Sequence, residues 1–190
     1  MTDCPTPSPF AGQHHYVLAT DGACKRNPGP GGWGAVRQLI EPDGTLAAQS
    51  PFSGSHRSST NIRMEMTAAI KGLSRLTVPD IPALLLTDSE QVVKGMTIWM
   101  PNWKTNGWRT ANRKPVENQD LWKELDALSL QRHIEWQWVR GHAGHELNEM
   151  ANTLADNGAK RLYAQDGRGL KELHPGWYLG KDALIDPIPA

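Results

Sequence analysis

The chain of 190 residues predicts an α/β layered domain on a mixed sheet. Three observations carry that reading. Three strand-like stretches come first, separated by Gly/Pro clusters. A stretch follows whose apolar positions step by three and four. Two further strand-like runs then alternate with helical patterns. The length is room for one ordinary domain with short extensions.

Met1 to Gln13 holds three prolines and little apolar mass, and reads as a disordered leader. The domain is expected over residues 14–161, followed by a C-terminal extension over 162–190. HHYVLATDGA, GWGAVRQLI and TLAAQSPFSG are the first three strands, and the clusters NPGPGG and EPDG between them are hairpin punctuation. A helix begins near Ser59-Thr60-Asn61, carries Ile62, Met66, Ala69, Ile70, Leu73 and Leu76 on one face, and stops before Pro79. ALLLTDS is a short apolar run ending in a turn, the pattern of a strand in the sheet interior. Helical stretches are expected from Glu90 to Met100 and from Val116 to Leu130, then a half-buried strand in HIEWQWVR and a last helix from Glu146 to Tyr163. The remaining residues from Ala164 mix Gly and Pro with Trp177, Tyr178 and Leu179, and either dock on the domain or hang free.

Twenty basic residues balance twenty acidic ones, so no global charge draws the chain to nucleic acid or membrane. No apolar run is long enough to cross a bilayer, and the N-terminus lacks the build of a signal peptide. Cys4 and Cys24 cannot make a disulfide framework or a thiolate zinc site. A reducing, cytoplasmic setting is the expectation, with no membrane association and no sign of an oligomer, so a monomer.

Four residues carry potential chemistry: Asp21 at the end of the first strand, Glu65 inside the first helix, Asp88 at the end of the fourth strand, and His142 in the loop GHAGH. Strand ends are where α/β sheets build sites, and a helix packed on the sheet can aim Glu65 at the same spot. Three carboxylates meeting there would repel one another unless cations lay between them. Hard oxygen ligands suit Mg²⁺ or Mn²⁺, and two such ions about 3.5–4 Å apart clamp both sides of a phosphoryl transfer. Each residue also has a plainer reading. Asp21-Gly22 is a turn former, Asp88-Ser89 a helix cap, Glu65 a solvated helix residue and His142 a loop histidine.

The wording around these residues decides between the readings. TDGACKRNPGPGGWGAV, STNIRMEMTAAIKGL, LLTDSEQVVKGM, NWKTNGWRT, KPVENQDLW and WQWVRGHAGHELNEMAN occur in that order, and together they resemble bacterial ribonuclease HI over about His14 to Arg161. The resemblance implies a ribonuclease H-like fold: a five-stranded mixed sheet, three antiparallel strands plus two, with helices on both faces. It implies an endonuclease that cuts the RNA strand of an RNA/DNA hybrid, leaving 3′-hydroxyl and 5′-phosphate ends. Asp21, Glu65 and Asp88 fall on three of the family's four metal-binding carboxylates, and His142 on its mobile histidine.

The fourth carboxylate position is occupied here by Asn152. Its carbonyl oxygen still offers a ligand, but one negative charge is missing, so one of the two expected ions should be held weakly. Either the natural protein works with Asn152, or Asn152 is an inactivating substitution, or the chain binds hybrids without cutting them. Asp156 and Glu149 lie at i+4 and i−3 from Asn152, and a compensating role for Asp156 stands against that of a surface charge.

Global neutrality hides one asymmetry. Gln91 to Val116 contains Lys94, Lys104, Arg109, Arg113 and Lys114 with no acid, and Trp99, Trp103 and Trp108 are interleaved with them. Basic groups attract phosphates and indoles can lie against sugars or bases. Trp99 and Trp103, four apart on a helix, equally well face the core. By resemblance this segment is the family's basic protrusion, which contacts the DNA strand, although Thr105 and Asn106 stand where relatives often carry basic residues. Also by resemblance, Gly22, Cys24, Asn27 and Asn61 lie near the RNA strand, and Thr60 and Asn118 match the pocket for a DNA phosphate. Ile62 and Glu90 depart from the family's common Asn and Gln. The rival functions are a non-catalytic hybrid-binding module and a different nuclease or strand-transfer enzyme on the same sheet.

Overall fold

The computed structural model describes residues 8–78 and 80–165. Trp177, whose docking the sequence leaves open, and residues 1–7 of the expected leader lie outside the described residues. Five strands form one sheet in the order β3-β2-β1-β4-β5. They are β1 (His15–Cys24), β2 (Gly29–Ile40), β3 (Leu46–Ser59), β4 (Ala83–Thr87) and β5 (Ile134–Trp138). β1, β2 and β3 pair antiparallel, as consecutive hairpins must. β4 runs parallel to both β1 and β5, with α1 (Asn61–Leu73) crossing over between the two halves of the sheet. The mixed five-stranded sheet of the sequence reading is therefore present.

Alternation along the strands produces two cores. Tyr16, Leu18 and Leu85 point to one face, where Met66, Ile70 and Leu73 of α1 and Trp122 and Leu125 of α4 (Gln119–Ser129) cover them. Ala19, Val36, Leu84 and Leu86 point to the other, under Ala151 and Leu154 of α5 (Glu146–Gln165). Helices thus lie on both faces.

α1 ends at Leu73, short of the expected Leu76, and β3 runs on to Ser59; three further differences have a plain physical reason. Phe10, inside the expected leader, is buried in the second core, its ring 5.1 Å edge-on from His133. The leader is therefore docked from its described start, because a single large ring outweighs the neighbouring prolines. The helix from Glu90 does not stop at Met100. α2 (Glu90–Lys94) passes through one widened π-type turn at Gly95–Trp99 into α3 (Met100–Thr105), and Pro101, which has no N–H to give, follows directly on that turn, where the hydrogen-bond ladder is already irregular. The helix expected from Val116 begins only at Gln119, since Asn118 adopts a left-handed conformation (φ 54°) that ends any earlier helical turn.

Candidate active site

β1 and β4 are parallel neighbours, so Asp21 and Asp88 emerge at the same end of the sheet, where the register pairs Thr20 with Thr87. Gly22 completes the arrangement. A Cβ at that position would collide with the backbone of Met64 and Glu65, so only glycine lets α1 approach β1 closely enough to bring Glu65 to Asp21. Asp21, Glu65 and Asp88 each offer a carboxylate oxygen within 4.8 Å of the other two. Asp21 and Glu65 are buried, 5% and 8% exposed, and Asp88 is half-buried.

Few partners share this charge. The Gly22 N–H donates to Asp21 Oδ1 at 2.6 Å, and Asn61 Nδ2 donates to Glu65 Oε1 at 3.4 Å. Glu65 Oε2 is buried with no partner. Burial first, and then the charge on Asp88, push the Asp21 carboxyl from its ordinary 3.8 to about 7. Burial, then Asp21 and Asp88, hold Glu65 well above the usual carboxylate range. Three crowded carboxyls and an orphaned buried oxygen are the donor set that a hard divalent cation satisfies, so the residues fit such an ion.

Two features escaped the sequence reading. The indole N–H of Trp138, the last residue of β5, donates to the Asp88 carbonyl at 3.0 Å, while 44% of the residue stays exposed. Gly141 packs so tightly on Asp88 that a Cβ would collide with Oδ2. The strand end after Asp88 is therefore clasped by the segment leading to His142. The signal was available: HIEWQWVR is a strand, and placing it beside β4 sets Trp138 against Thr87, next to Asp88.

His142 is exposed at φ 53° in the loop between β5 and α5 and is not part of the carboxylate group. Glu149 Oε1 accepts the Gly144 N–H at 3.0 Å, tethering that loop to α5. Asn152 is half-buried in α5, beside Ala151, whose carbonyl abuts Gly34, the ladder partner of Asp21. Asp156 is already engaged. Its Oδ1 pairs with Lys25 at 2.5 Å and its Oδ2 with Lys160 at 2.7 Å, so two ammonium groups offset its charge, against the compensating role and in keeping with a surface ion pair. That charge is still felt at Asp21, after burial and Asp88.

The residues expected to meet substrate fall in three places. Cys24 Sγ, half-buried at the end of β1, donates to the carbonyls of Ser59 and Gly29 at 3.2 and 3.4 Å, and burial pushes its thiol up. The exposed Asn27 accepts the Asn61 N–H at 3.2 Å, tying the first hairpin to the start of α1. Thr60 caps α1 by accepting the Arg63 N–H at 3.4 Å. The guanidinium of Arg63 donates to Asn118 Oδ1 at 3.0 Å and pairs with Asp120 at 2.7 Å. Arg63, absent from the sequence reading, is thus what joins Thr60 to Asn118.

In the basic segment Trp103 and Trp108 are half-buried against the main core, and Trp103 lies 5.3 Å from Trp122. Trp99 packs against Trp103 with its ring tilted, the centroids 5.8 Å apart. Packing is therefore part of what these indoles do. The cations are largely engaged: Lys94 with Glu90 at 2.5 Å, Lys104 with Asp126 at 2.8 Å, and Arg109 with the Arg113 carbonyl at 2.8 Å.

The fold and the site together define an α/β domain with a metal-capable acidic centre where the antiparallel and parallel halves of its sheet meet. The chain belongs to the RNase H family, whose model matches residues 13–160. It is 48% identical over 153 residues to the Ribonuclease H of Phenylobacterium zucineum, covering 80% of this chain and 95% of that one. It is 52% identical over 143 residues to the Ribonuclease H of Alkalilimnicola ehrlichii, covering 75% and 93%. Among solved structures it is similar to LC9-RNase H1, described as a type 1 RNase H with the type 2 active-site motif. That match has a TM-score of 0.69 and 30% identity, covering 79% of this chain and 74% of that one. It also resembles the N-terminal RNase H domain of a Mycobacterium tuberculosis protein, with a TM-score of 0.58 and 27% identity, covering 82% and 99%. No helix among the described residues is long and apolar enough to cross a membrane.

Proposed function

We propose that this chain hydrolyses the RNA strand of RNA/DNA hybrids in a divalent-metal-dependent reaction that leaves 3′-hydroxyl and 5′-phosphate ends. One observation carries the reading: in a member of the RNase H family, Asp21, Glu65 and Asp88 converge within 4.8 Å at the end of the sheet. Asp21, Glu65, Asp88 and the carbonyl oxygen of Asn152 would hold Mg²⁺ or Mn²⁺, which when bound supplies charge neutralisation and a more acidic water.

The chain's own residues do the rest. Gly22 and the Trp138–Asp88 bond fix the carboxylates before substrate arrives, so little reorganisation remains for the reacting complex. His142, exposed on a loop tethered by Glu149, is placed to exchange a proton with solvent and to let product leave. The 2′-hydroxyl marks the RNA strand. Asn61 and Gly22, each bonded to a carboxylate, with Asn27 bonded to Asn61 and Cys24 further along β1, would supply the polar groups that read it. Thr60, Asn118 and Arg63 form a polar cluster suited to one DNA phosphate, and Lys94, Trp99, Trp103, Lys104, Trp108 and Arg109 supply the surface for the DNA strand. The chain works as a monomer in the cytoplasm.

The test is incubation with end-labelled hybrid, single-stranded RNA and DNA duplex, with and without Mg²⁺, followed by analysis of product ends. Metal-dependent cutting of hybrid RNA alone, with 5′-phosphate ends, is expected. Binding of hybrid without cutting under any metal would replace this reading with that of a hybrid-binding protein impaired by Asn152.

A further inference from the structure

A second set of cations lies on the α5 face of the sheet, whereas the Gln91–Val116 segment packs on the α1 face. Lys25 follows the last residue of β1, four positions and so about 13 Å of extended chain beyond Asp21. Lys160 lies eight residues after Asn152 on α5, about 12 Å along the helix. Between them Asp156 gives one oxygen to each ammonium, at 2.5 and 2.7 Å, with its side chain 29% exposed. The exposed Arg26 stands at the hairpin tip with its guanidinium 5.4 Å over the Tyr163 ring, which orients it. Two ammonium groups thus share one carboxylate, and Arg26 adds a third cation on the same hairpin as Lys25, leaving an excess of positive charge there.

We infer that Lys25, Arg26 and Lys160 form a second phosphate-binding patch, for the substrate backbone beyond the cleavage point, and that Asp156 occupies it in the free protein as an internal stand-in for phosphate. This rests on the proposed hybrid substrate and adds to it a subsite and an internal competitor. Ion pairs with this much access to water are weak and exchange readily, so a polyanion that also releases counterions can displace the carboxylate. The lysines are held converged and pre-oriented until then. The ordinary alternative is a staple joining the first hairpin to α5, and it makes the opposite prediction for removal of Asp156.

The experiment measures binding of a fluorescent RNA/DNA hybrid in EDTA, from 50 to 200 mM NaCl, for four proteins: the native chain, Asp156→Asn, Lys25→Ala/Lys160→Ala and Lys25→Arg/Lys160→Arg. Two lost phosphate contacts should make the decline of affinity across that range about tenfold shallower in the double alanine variant, and the double arginine variant should keep the native decline. Asp156→Asn should bind severalfold tighter, with a steeper decline. An unchanged salt dependence in the double alanine variant, or weaker binding by Asp156→Asn together with a lower melting temperature, would overturn the inference and leave a staple. If the native chain binds no hybrid at any salt concentration, the proposed substrate falls as well. That result is distinct from native binding with lysines that do not matter.

Discussion

Asp21 and Glu65 are 5% and 8% exposed and face each other's charge with few partners, whereas Lys94, Lys104 and Arg109 stand exposed and are each bonded to a neighbour. The acidic centre is expensive to fold because desolvation raises the free energy of every ionised carboxylate. The basic segment gives up little hydration and holds its charges in exposed pairs worth about 0–1 kcal/mol each. On the proposed function, chemistry falls to the strained, buried carboxylates and grip to the region where charges can be exchanged. Substitutions in the first region should produce large effects on rate and stability together, and those in the second small effects on affinity alone.

The sharpest break of that contrast is Asp21→Asn. Cleavage should fall by about a thousandfold or more, the loss of a group acting on the reacting centre. Metal-free stability should move the other way. The folded value of about 7 for Asp21 lies above its ordinary 3.8. Its protonated form therefore stabilises the fold fully below pH 4, and that contribution is lost as pH rises through 7. The penalty at pH 8 is on the order of 4 kcal/mol. Thermal melts in EDTA should show the native chain weakening from pH 4 to 8 and the variant weakening less. Mg²⁺ should raise the native melting temperature at pH 8 far more than at pH 4. A native chain whose stability is flat across that range would mean that the cluster bears no such strain.

Gly22→Ala probes how the centre is assembled. The new methyl group collides with the Met64 and Glu65 backbone, so α1 must shift at a cost of about 1–3 kcal/mol, read by denaturant melts. Trp138→Phe keeps a ring and removes the donor to the Asp88 carbonyl. A net hydrogen bond is worth about 1 kcal/mol, so the metal concentration for half-maximal cleavage should rise about fivefold. Lys104→Ala should be the mildest, because its ammonium is already shared with Asp126. KM for hybrid should rise about threefold with kcat unchanged, the cost of one phosphate contact. A fall in kcat would place this segment inside the chemistry.

Regular elements were legible where one periodicity held throughout. ALLLT has the look of an interior strand and is β4, and the three-and-four spacing from Ile62 to Leu73 reads as a helix and is α1. Asp21, Glu65 and Asp88 were legible because strand ends and a packed helix converge by topology. What remained hidden depended on contacts between distant segments. Phe10 finds His133, Trp138 reaches the Asp88 carbonyl, Arg63 joins Thr60 to Asn118, and Lys25 meets Asp156 across 131 residues of chain. The burial of Trp103 belongs to the same class, since an indole among cations gives no sign of which face meets the core.

The central claim is that three carboxylates and Asn152 suffice for catalysis. It is tested most directly by cleavage of labelled hybrid by the native chain and by Asn152→Asp, each titrated with Mg²⁺ and Mn²⁺. The account predicts that the native chain cuts hybrid RNA, and that Asp at position 152 lowers the metal concentration required. If the native chain binds hybrid and remains inert at every metal concentration while Asn152→Asp cuts, the three carboxylates do not make an active centre, and the claim is wrong.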